Sequence, residues 1–252
     1  MTWQEPQVVI STTPFDPNNR PYVKYASDGK KRIDLVFTDG HPRIEEHNGV
    51  YHCYYQAGAF WRSDGSKICD EKDLPFAPHQ ATQIYKPSFD QGRAWLADVT
   101  LDKKGRPFIL YTRHPSEVDH RYHYAWYDAN KNEWIDREIC KAGKWFPQTQ
   151  PGEKEREEHY HGNLTIHPTK TNTIYLSRQI NGRFEIEKRT TRNKGRSWKI
   201  EPITSNSEFD HVRPYVPRHT PKNSPTVLLW MENKKYIHYT NFDTRIRYWI
   251  DR

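Results

Sequence analysis

The chain has 252 residues, 34% of them hydrophobic and 14% aromatic, with a formal net charge of +7. Nine Trp, 16 Tyr and 10 Phe argue against a disordered chain despite a mean hydropathy of −1.07, because disordered chains are poor in aromatics. No apolar run approaches the roughly 20 residues of a membrane helix. The basic balance suits a polyanionic partner without naming its class.

The opening Met1-Thr2-Trp3-Gln4-Glu5-Pro6 has neither a basic stretch nor an apolar one, so it does not read as a signal peptide. Helical periodicity is nearly absent, and short β-branched and aromatic stretches alternate with Gly/Asp/Asn/Pro turns. Residues 21–37 read as a hairpin turning at Ser27-Asp28-Gly29-Lys30, and residues 50–62 as a second around Ala57-Gly58. Residues 95–112 turn at Asp102 to Gly105, and 122–139 at Asp128 to Asn132. Residues 162–178 turn around Pro168 to Asn172, and 184–203 at Arg192 to Gly195. Residues 213–231 enclose a loop rich in Pro and Asn, and 236–250 turn at Phe242 to Thr244. Cys53, Cys69 and Cys140 are far apart, a spacing that argues against a disulfide scaffold and a zinc ribbon.

Two hairpins make one four-stranded unit, and four units fit between Arg20 and Ile250. This predicts an all-β chain forming a single β-propeller domain over 1–252, with blades at about 20–69, 93–140, 160–204 and 211–250. The N-terminal segment leaves room for a fifth blade. The alternative is a β-sandwich, which lacks a repeat of this size. The unit openings are alike: Arg20-Pro21-Tyr22-Val23, Arg93-Ala94-Trp95-Leu96 and Arg213-Pro214-Tyr215-Val216.

In such a blade the start of strand one, the end of strand two and the start of strand three share one rim. That places Arg20, His41, Arg43, Arg113, His114, His120, Tyr160, His161, Arg178 and Arg213 together, a group suited to an anionic ligand. The plainer roles stay open: Arg20 and Arg213 as ion pairs between units, His41 as a loop-ordering residue. His52 and His123 read as packing residues, as do most strand Trp and Tyr.

Thr191-Arg192-Asn193-Lys194-Gly195-Arg196-Ser197-Trp198 fits the Asp-box pattern of sialidase-like propellers, with Asn193 in place of Asp. This motif, the segments Arg20 to Tyr25, Phe37 to Arg43, Asp119 to Ala125 and Thr173 to Arg178, and Val212-Arg213-Pro214 resemble the BNR-type (bacterial neuraminidase repeat) propeller family, which includes ulvan-lyase-like polysaccharide lyases. The resemblance runs from about Arg20 to Thr244. It implies a secreted or periplasmic protein, usually longer and often seven-bladed, so this chain corresponds to a short form or a C-terminal portion. Some relatives carry His in a Trp-x-His-Asp segment where this chain has Trp95-Leu96-Ala97-Asp98.

The resemblance further implies β-elimination on a uronic-acid-containing acidic polysaccharide. Such a reaction neutralises the uronate carboxylate, removes the C5 proton and protonates the departing glycosidic oxygen. Tyr160 takes the place of the lyase tyrosine, Arg178 that of the arginine following it and His120 that of the assisting histidine. Arg20, His41, Arg43, His114, His161 and Arg213 would bind substrate. The chemistry requires no cofactor, while a structural calcium or zinc ion stays open. A sialidase-like glycoside hydrolase is the competing enzyme, with Arg20, Arg178 and Arg213 as an arginine triad and Asp39, Asp98 and Asp119 as acid candidates. A non-catalytic carbohydrate- or protein-binding propeller is the third reading. Scattered basic residues argue against nucleic acid, and nothing points to a membrane. A homo-oligomer or blades from a partner chain would cover exposed end blades.

Overall fold

The computed structural model describes residues 5–12, 19–143, 162–221 and 224–251. It holds four antiparallel sheets and, among the described residues, no α-helix. The first sheet contains β1 (Val23–Ser27), β2 (Arg32–Thr38), β3 (Val50–Gln56), β4 (Ala59–Trp61) and β5 (Lys67–Asp70) in that order, with β6 (Thr82–Tyr85) also on β3. The second contains β7 (Arg93–Leu101), β8 (Pro107–Ser116), β9 (Asp119–Asp128) and β10 (Glu133–Gly143). The third runs β11 (Leu164–Ile166), β12 (Thr173–Ile180), β13 (Arg183–Thr190) and β14 (Lys199–Pro202). The fourth is β15 (Asp210–Tyr215), β16 (Thr226–His238) and β17 (Asn241–Asp251).

The hairpins follow from local turn chemistry. Asp28 Oδ1 accepts from the backbone N–H groups of Lys30, Lys31 and Arg32 at 2.9, 3.0 and 3.0 Å, and Asp102 Oδ1 does the same for Lys104 and Arg106 at 2.8 and 2.9 Å. In the Thr191–Trp198 turn, Thr191 Oγ1 accepts from Gly195 N–H at 2.9 Å and Asn193 Oδ1 from Ser197 N–H at 2.9 Å. Trp198 then meets Tyr124 of the second sheet edge-on at 5.4 Å.

Two units depart from the expected four strands. In the first sheet β6, drawn from beyond residue 69, returns to pair with β3, giving six strands. In the fourth, residues 226–238 run as one strand of 13 residues, and the turn falls at Tyr239-Thr240 rather than at 242–244. Asn233-Lys234-Lys235 contains no Gly or Pro, so it forms a bulge instead of a turn, and Thr244 Oγ1 donates to Asn233 Oδ1 at 2.9 Å across the ladder. Among the described residues the N-terminal segment forms no strand of its own. Ile10 bridges Phe76 and Ser11 N–H donates to Phe76 O at 3.1 Å, which lays it against the first sheet.

The sheets stack face to face through three apolar layers. Val36, Val50 and Tyr85 meet Ala94, Val99 and Tyr111. Leu110, Tyr122 and Tyr124 meet Leu164, Ile174 and Leu176. Tyr175 and Ile186 meet Val216, Leu228 and Trp230. Strands β1, β7, β11 and β15 lie side by side along the inner edge of the stack.

Polar ties cross the layers at both ends of those strands. At one end Ala94 N–H donates to Asn48 O at 2.9 Å, Tyr122 Oη to Ser177 O at 2.6 Å, and Ser177 Oγ to His211 O at 2.6 Å. At the other end Asp98 accepts from Thr165 Oγ1 at 2.7 Å, Ile166 N–H at 3.0 Å and Arg218 Nη2 at 2.5 Å. One carboxylate thus joins the second sheet, the third sheet and the loop after β15. Asp98→Ala leaves these three donors and the Val99 N–H, which also donates to Asp98 Oδ1 at 2.9 Å, without their acceptor and should cost about 2–4 kcal/mol. The check is the urea unfolding midpoint, with Asp98→Asn expected to recover part of the loss.

Candidate functional site

The residue before β1, the loop after β2 and the first residues of β7 bring three rings together. Tyr22 lies 5.3 Å from His41 and 6.1 Å from Trp95, and His41 lies 4.8 Å from Trp95, all edge-on. Tyr22 is 41% exposed, and His41 and Trp95 are half-buried. Arg93 Nη1 donates to Pro42 O at 2.6 Å, which pins the His41 loop to the second sheet. His41 N–H donates to Asn19 Oδ1 at 3.1 Å, and His41 Nδ1 accepts from Arg43 N–H at 3.1 Å. That acceptor role leaves the neutral ring its proton on Nε2. Arg20 is exposed and Arg43 and Arg93 are half-buried, so three guanidinium groups belong to the segments that carry the rings.

Arg213 sits in the bulge of β15 at φ 56°, its guanidinium 5.6 Å from the Tyr236 ring, and its N–H donates to Gly162 O at 2.6 Å. Gly162 has no room for a side chain, since a Cβ there would lie 2.4 Å from Ser177 Oγ.

The other sequence candidates are placed differently. His114 and His120 are buried, with ring centroids 6.0 Å apart, on the face of the second sheet that packs against the third. His114 Nε2 lies 3.0 Å from Thr112 Oγ1, and the His120 ring packs edge-on against Tyr122 at 5.5 Å. Arg178 is held by Glu187, whose Oε1 accepts from Nε at 2.9 Å and from Nη2 at 2.9 Å. The second Glu187 oxygen holds Arg189 at 2.7 Å. Tyr160 and His161 lie outside the described residues. Arg113 does not share a face with its neighbour His114. Strand alternation turns it to the opposite face, where it pairs with Asp136, donates to Tyr111 Oη at 2.7 Å and covers the Tyr85 ring at 4.0 Å.

The candidate acids are engaged separately. Asp39 Oδ2 accepts from Gly49 N–H at 2.7 Å, and burial raises its pKa. Asp98 is the inter-sheet tie, and Asp119 pairs with Arg121 at 2.9 Å. Among the described residues no cluster of three or more His, Cys, Asp or Glu is arranged to hold a metal ion. Sequence reasoning passed over Tyr22, Arg93 and Trp95 as site residues. The repeated Arg-x-aromatic opening of the units was the signal that marked them.

A Ser–His–Asp array occurs away from the rim, between the first and second sheets. Asp34 Oδ1 lies 2.9 Å from His52 Nε2, and His52 Nδ1 lies 2.8 Å from Ser63 Oγ. Trp134 Nε1 donates to the same serine oxygen at 2.9 Å, and Arg32 grips Asp34 at 2.6 Å. The indole caps the would-be nucleophile and His52 is fully buried, so this network satisfies interior polar groups. Burial opposes charge on Asp34, but the His52 and Arg32 bonds outweigh it and hold its pKa below the usual carboxylate range. At the opposite end of the sheets, a cavity of about 1590 Å³ opens between the first and fourth sheets, with Tyr25, Leu35, Lys170, Arg218 and Val227 in its lining.

A family model, "BNR repeat-containing family member", matches residues 1–142, and the chain belongs to that family. No curated protein matches the chain. Among solved structures, an ulvan lyase of polysaccharide lyase family PL25, bound to -[GlcA(1-4)Rha3S]-, is similar with a TM-score of 0.63 at 11% identity, over 92% of this chain and 51% of that one. The chain therefore spans about half the length of that lyase. A Dyadobacter fermentans protein of unknown function is similar with a TM-score of 0.51 at 13% identity, over 97% of this chain and 68% of that one. An endo-arabinase from Bacteroides thetaiotaomicron gives a TM-score of 0.44 at 16% identity, over 90% and 72% of the two chains.

The buried histidines dictate an acid response. Burial lowers the pKa of His52, His123 and His211, and takes His167 to about 4. In the unfolded chain each takes up a proton near pH 6.5, whereas the folded state resists. Stability should be full above about pH 6.5 and fall as the pH drops from there toward 4. Urea midpoints measured across that range test this, and His167→Gln should flatten the slope between pH 6.5 and 4.

Proposed function

We propose that this member of the BNR repeat-containing family is a β-propeller-type protein acting on an acidic polysaccharide, and that its chemistry is β-elimination at a uronic acid. The observation that carries the reading is the rim where Tyr22, His41 and Trp95 meet beside Arg20, Arg43 and Arg93. The exposed Tyr22 ring beside the half-buried His41 and Trp95 offers a sugar face an apolar platform, and guanidinium groups offer its carboxylate paired donors. The similarity in fold to an ulvan lyase seen with a GlcA-containing ligand supports the substrate class. The four stacked sheets, with β1, β7, β11 and β15 side by side, support reading them as blades.

In this reading Arg20 and Arg43 hold the uronate carboxylate, so that charge from the departing C5 proton is neutralised as it develops. Trp95 and Tyr22 hold the ring. Tyr160 is the candidate for proton exchange on its sequence alone. Arg178 and His120 support the site from within, Arg178 through Glu187 and His120 through its packing on Tyr122.

Those two placements, with Ala97, favour a second reading, in which the rim binds the polysaccharide without cleaving it. Incubation with ulvan and other uronate polymers, followed by ultraviolet absorbance of the unsaturated uronate product, separates the two. Tyr160→Phe should lower the rate by about 10²-fold or more with the fold intact. Arg43→Ala and Trp95→Ala should each weaken binding of an acidic oligosaccharide by about 10-fold. Binding without absorbance change selects the second reading, and turnover surviving Tyr160→Phe removes Tyr160 from the chemistry.

A further inference from the structure

The outermost strands of the first three sheets are built against further pairing. Strands β5 and β14 have four residues each, and β14 ends in Pro202. Strand β10 has 11 residues, but its ladder with β9 breaks at Glu138/Cys140 and again at Lys141/Gly143. Short strands, proline and bulges all keep an edge from recruiting a new strand. Strand β17 lacks these features. It is 11 residues long, contains no Pro, Gly or Lys, and among the described residues pairs only with β16. Both irregularities of that ladder lie toward Asn241, and the register runs unbroken from Thr244 to Asp251. The fourth sheet also stops at three strands, where each of the others has four or more. On one face of β17 Ile246, Tyr248 and Ile250 are 68%, 69% and 37% exposed. The other face is tied to the third sheet, Trp249 lying 6.5 Å from Tyr175 and Asp251 pairing with Lys188 at 2.6 Å.

We propose that β17 pairs antiparallel with β17 of a second copy of this chain, about a two-fold axis at Tyr248, which joins the two fourth sheets into one of six strands. Such an axis keeps like face with like, so each possible register is centred on one residue. A centre at Ile246 sets Arg245 opposite Arg247 twice. A centre at Arg247 sets that arginine opposite itself and Asp243 opposite Asp251. A centre at Thr244 avoids like charges but runs over the bulged end, where a ladder twists. A centre at Tyr248 sets Arg245 opposite Asp251 twice and Ile246 opposite Ile250 twice, with Arg247 opposite Trp249 and Tyr248 on Tyr248. Opposite charges and apolar pairs directly across a ladder stabilise it, and like charges destabilise it. Tyr248 is thus the centre of the longest unbulged register free of like-charge pairs, and β17 is complementary to itself there. The contact runs from Arg245 to Asp251 on each strand, about 24 Å, smaller than a standard interface of ~800 Å² per partner. The dimer is therefore reversible, and the two-fold axis closes it at two copies.

Sedimentation velocity of the 252-residue chain from about 1 to 200 µM should show the mass rise from 30.2 kDa toward twice that value, as mass action requires. Tyr248→Lys sets Lys against Lys at the axis. It should raise the dimer dissociation constant by about 10-fold or more, with an unchanged circular dichroism spectrum. Mild oxidation of Tyr248→Cys should give a disulfide-linked dimer, because residue 248 meets its own copy across the axis. Ile246→Cys should give no link beyond the wild-type background, since the two copies of that position lie about 14 Å apart. A monomer throughout the concentration range, a dimer unmoved by Tyr248→Lys, or crosslinking at 246 instead of 248 overturns the proposal.

Discussion

A sheet that is apolar on both faces must be covered on both, and this requirement organises the molecule. In β8 the six residues from Pro107 to Thr112 are all buried, so the usual inside-outside alternation of an antiparallel strand is lost. In β12, Thr173 to Ser177 are likewise all buried. The second and third sheets can therefore exist only as the middle of a stack. Once stacked, their inner strands align, and the residues at the strand ends are brought into one row whatever their separation in the chain.

The same burial forces the interior polar groups to find partners, which accounts for much of the histidine content. His52 is matched to Asp34 and Ser63, His123 to Asp136, His167 to Thr226, and Trp230 Nε1 donates to His211. Strand alternation decides which basic residue serves packing and which serves the rim. Arg113 and His114 are consecutive and face opposite sheets. Arg178 faces a buried carboxylate, and Arg20 lies outside any strand and stays in solvent.

The hairpins were legible because Asp, Asn and Gly turn chemistry is local. Asp28, Asp102 and Asn193 hydrogen-bond the turns in which they sit. The fourth sheet was misread because a bulge and a turn look alike when the deciding contact, Thr244 to Asn233, spans 11 residues. Arg178 was legible as a rim cation only until its cross-strand neighbour was known, since Glu187 lies nine residues away on β13. Trp95 was counted with the packing aromatics. Strand position alone does not separate a tryptophan at the end of an inner strand from one in a layer, and its contacts with Tyr22 and His41 come from another sheet.

Whether an arginine suits an incoming anion depends on what it already holds. A guanidinium already paired with a buried carboxylate gains less from a second anion, and releasing it would take from Glu187 one of its two arginine partners in the protein interior. Arg178 is thus better suited to fixing the third sheet than to releasing its partner for each substrate. Arg20 and Arg43 stand on the loops that carry the Tyr22 and His41 rings, and neither loop belongs to the buried Glu187 network. In the proposed reading, neutralisation of a uronate therefore falls to the loops of the first sheet. Under the same proposal, Tyr160 is the candidate for the proton-exchange step on its sequence alone.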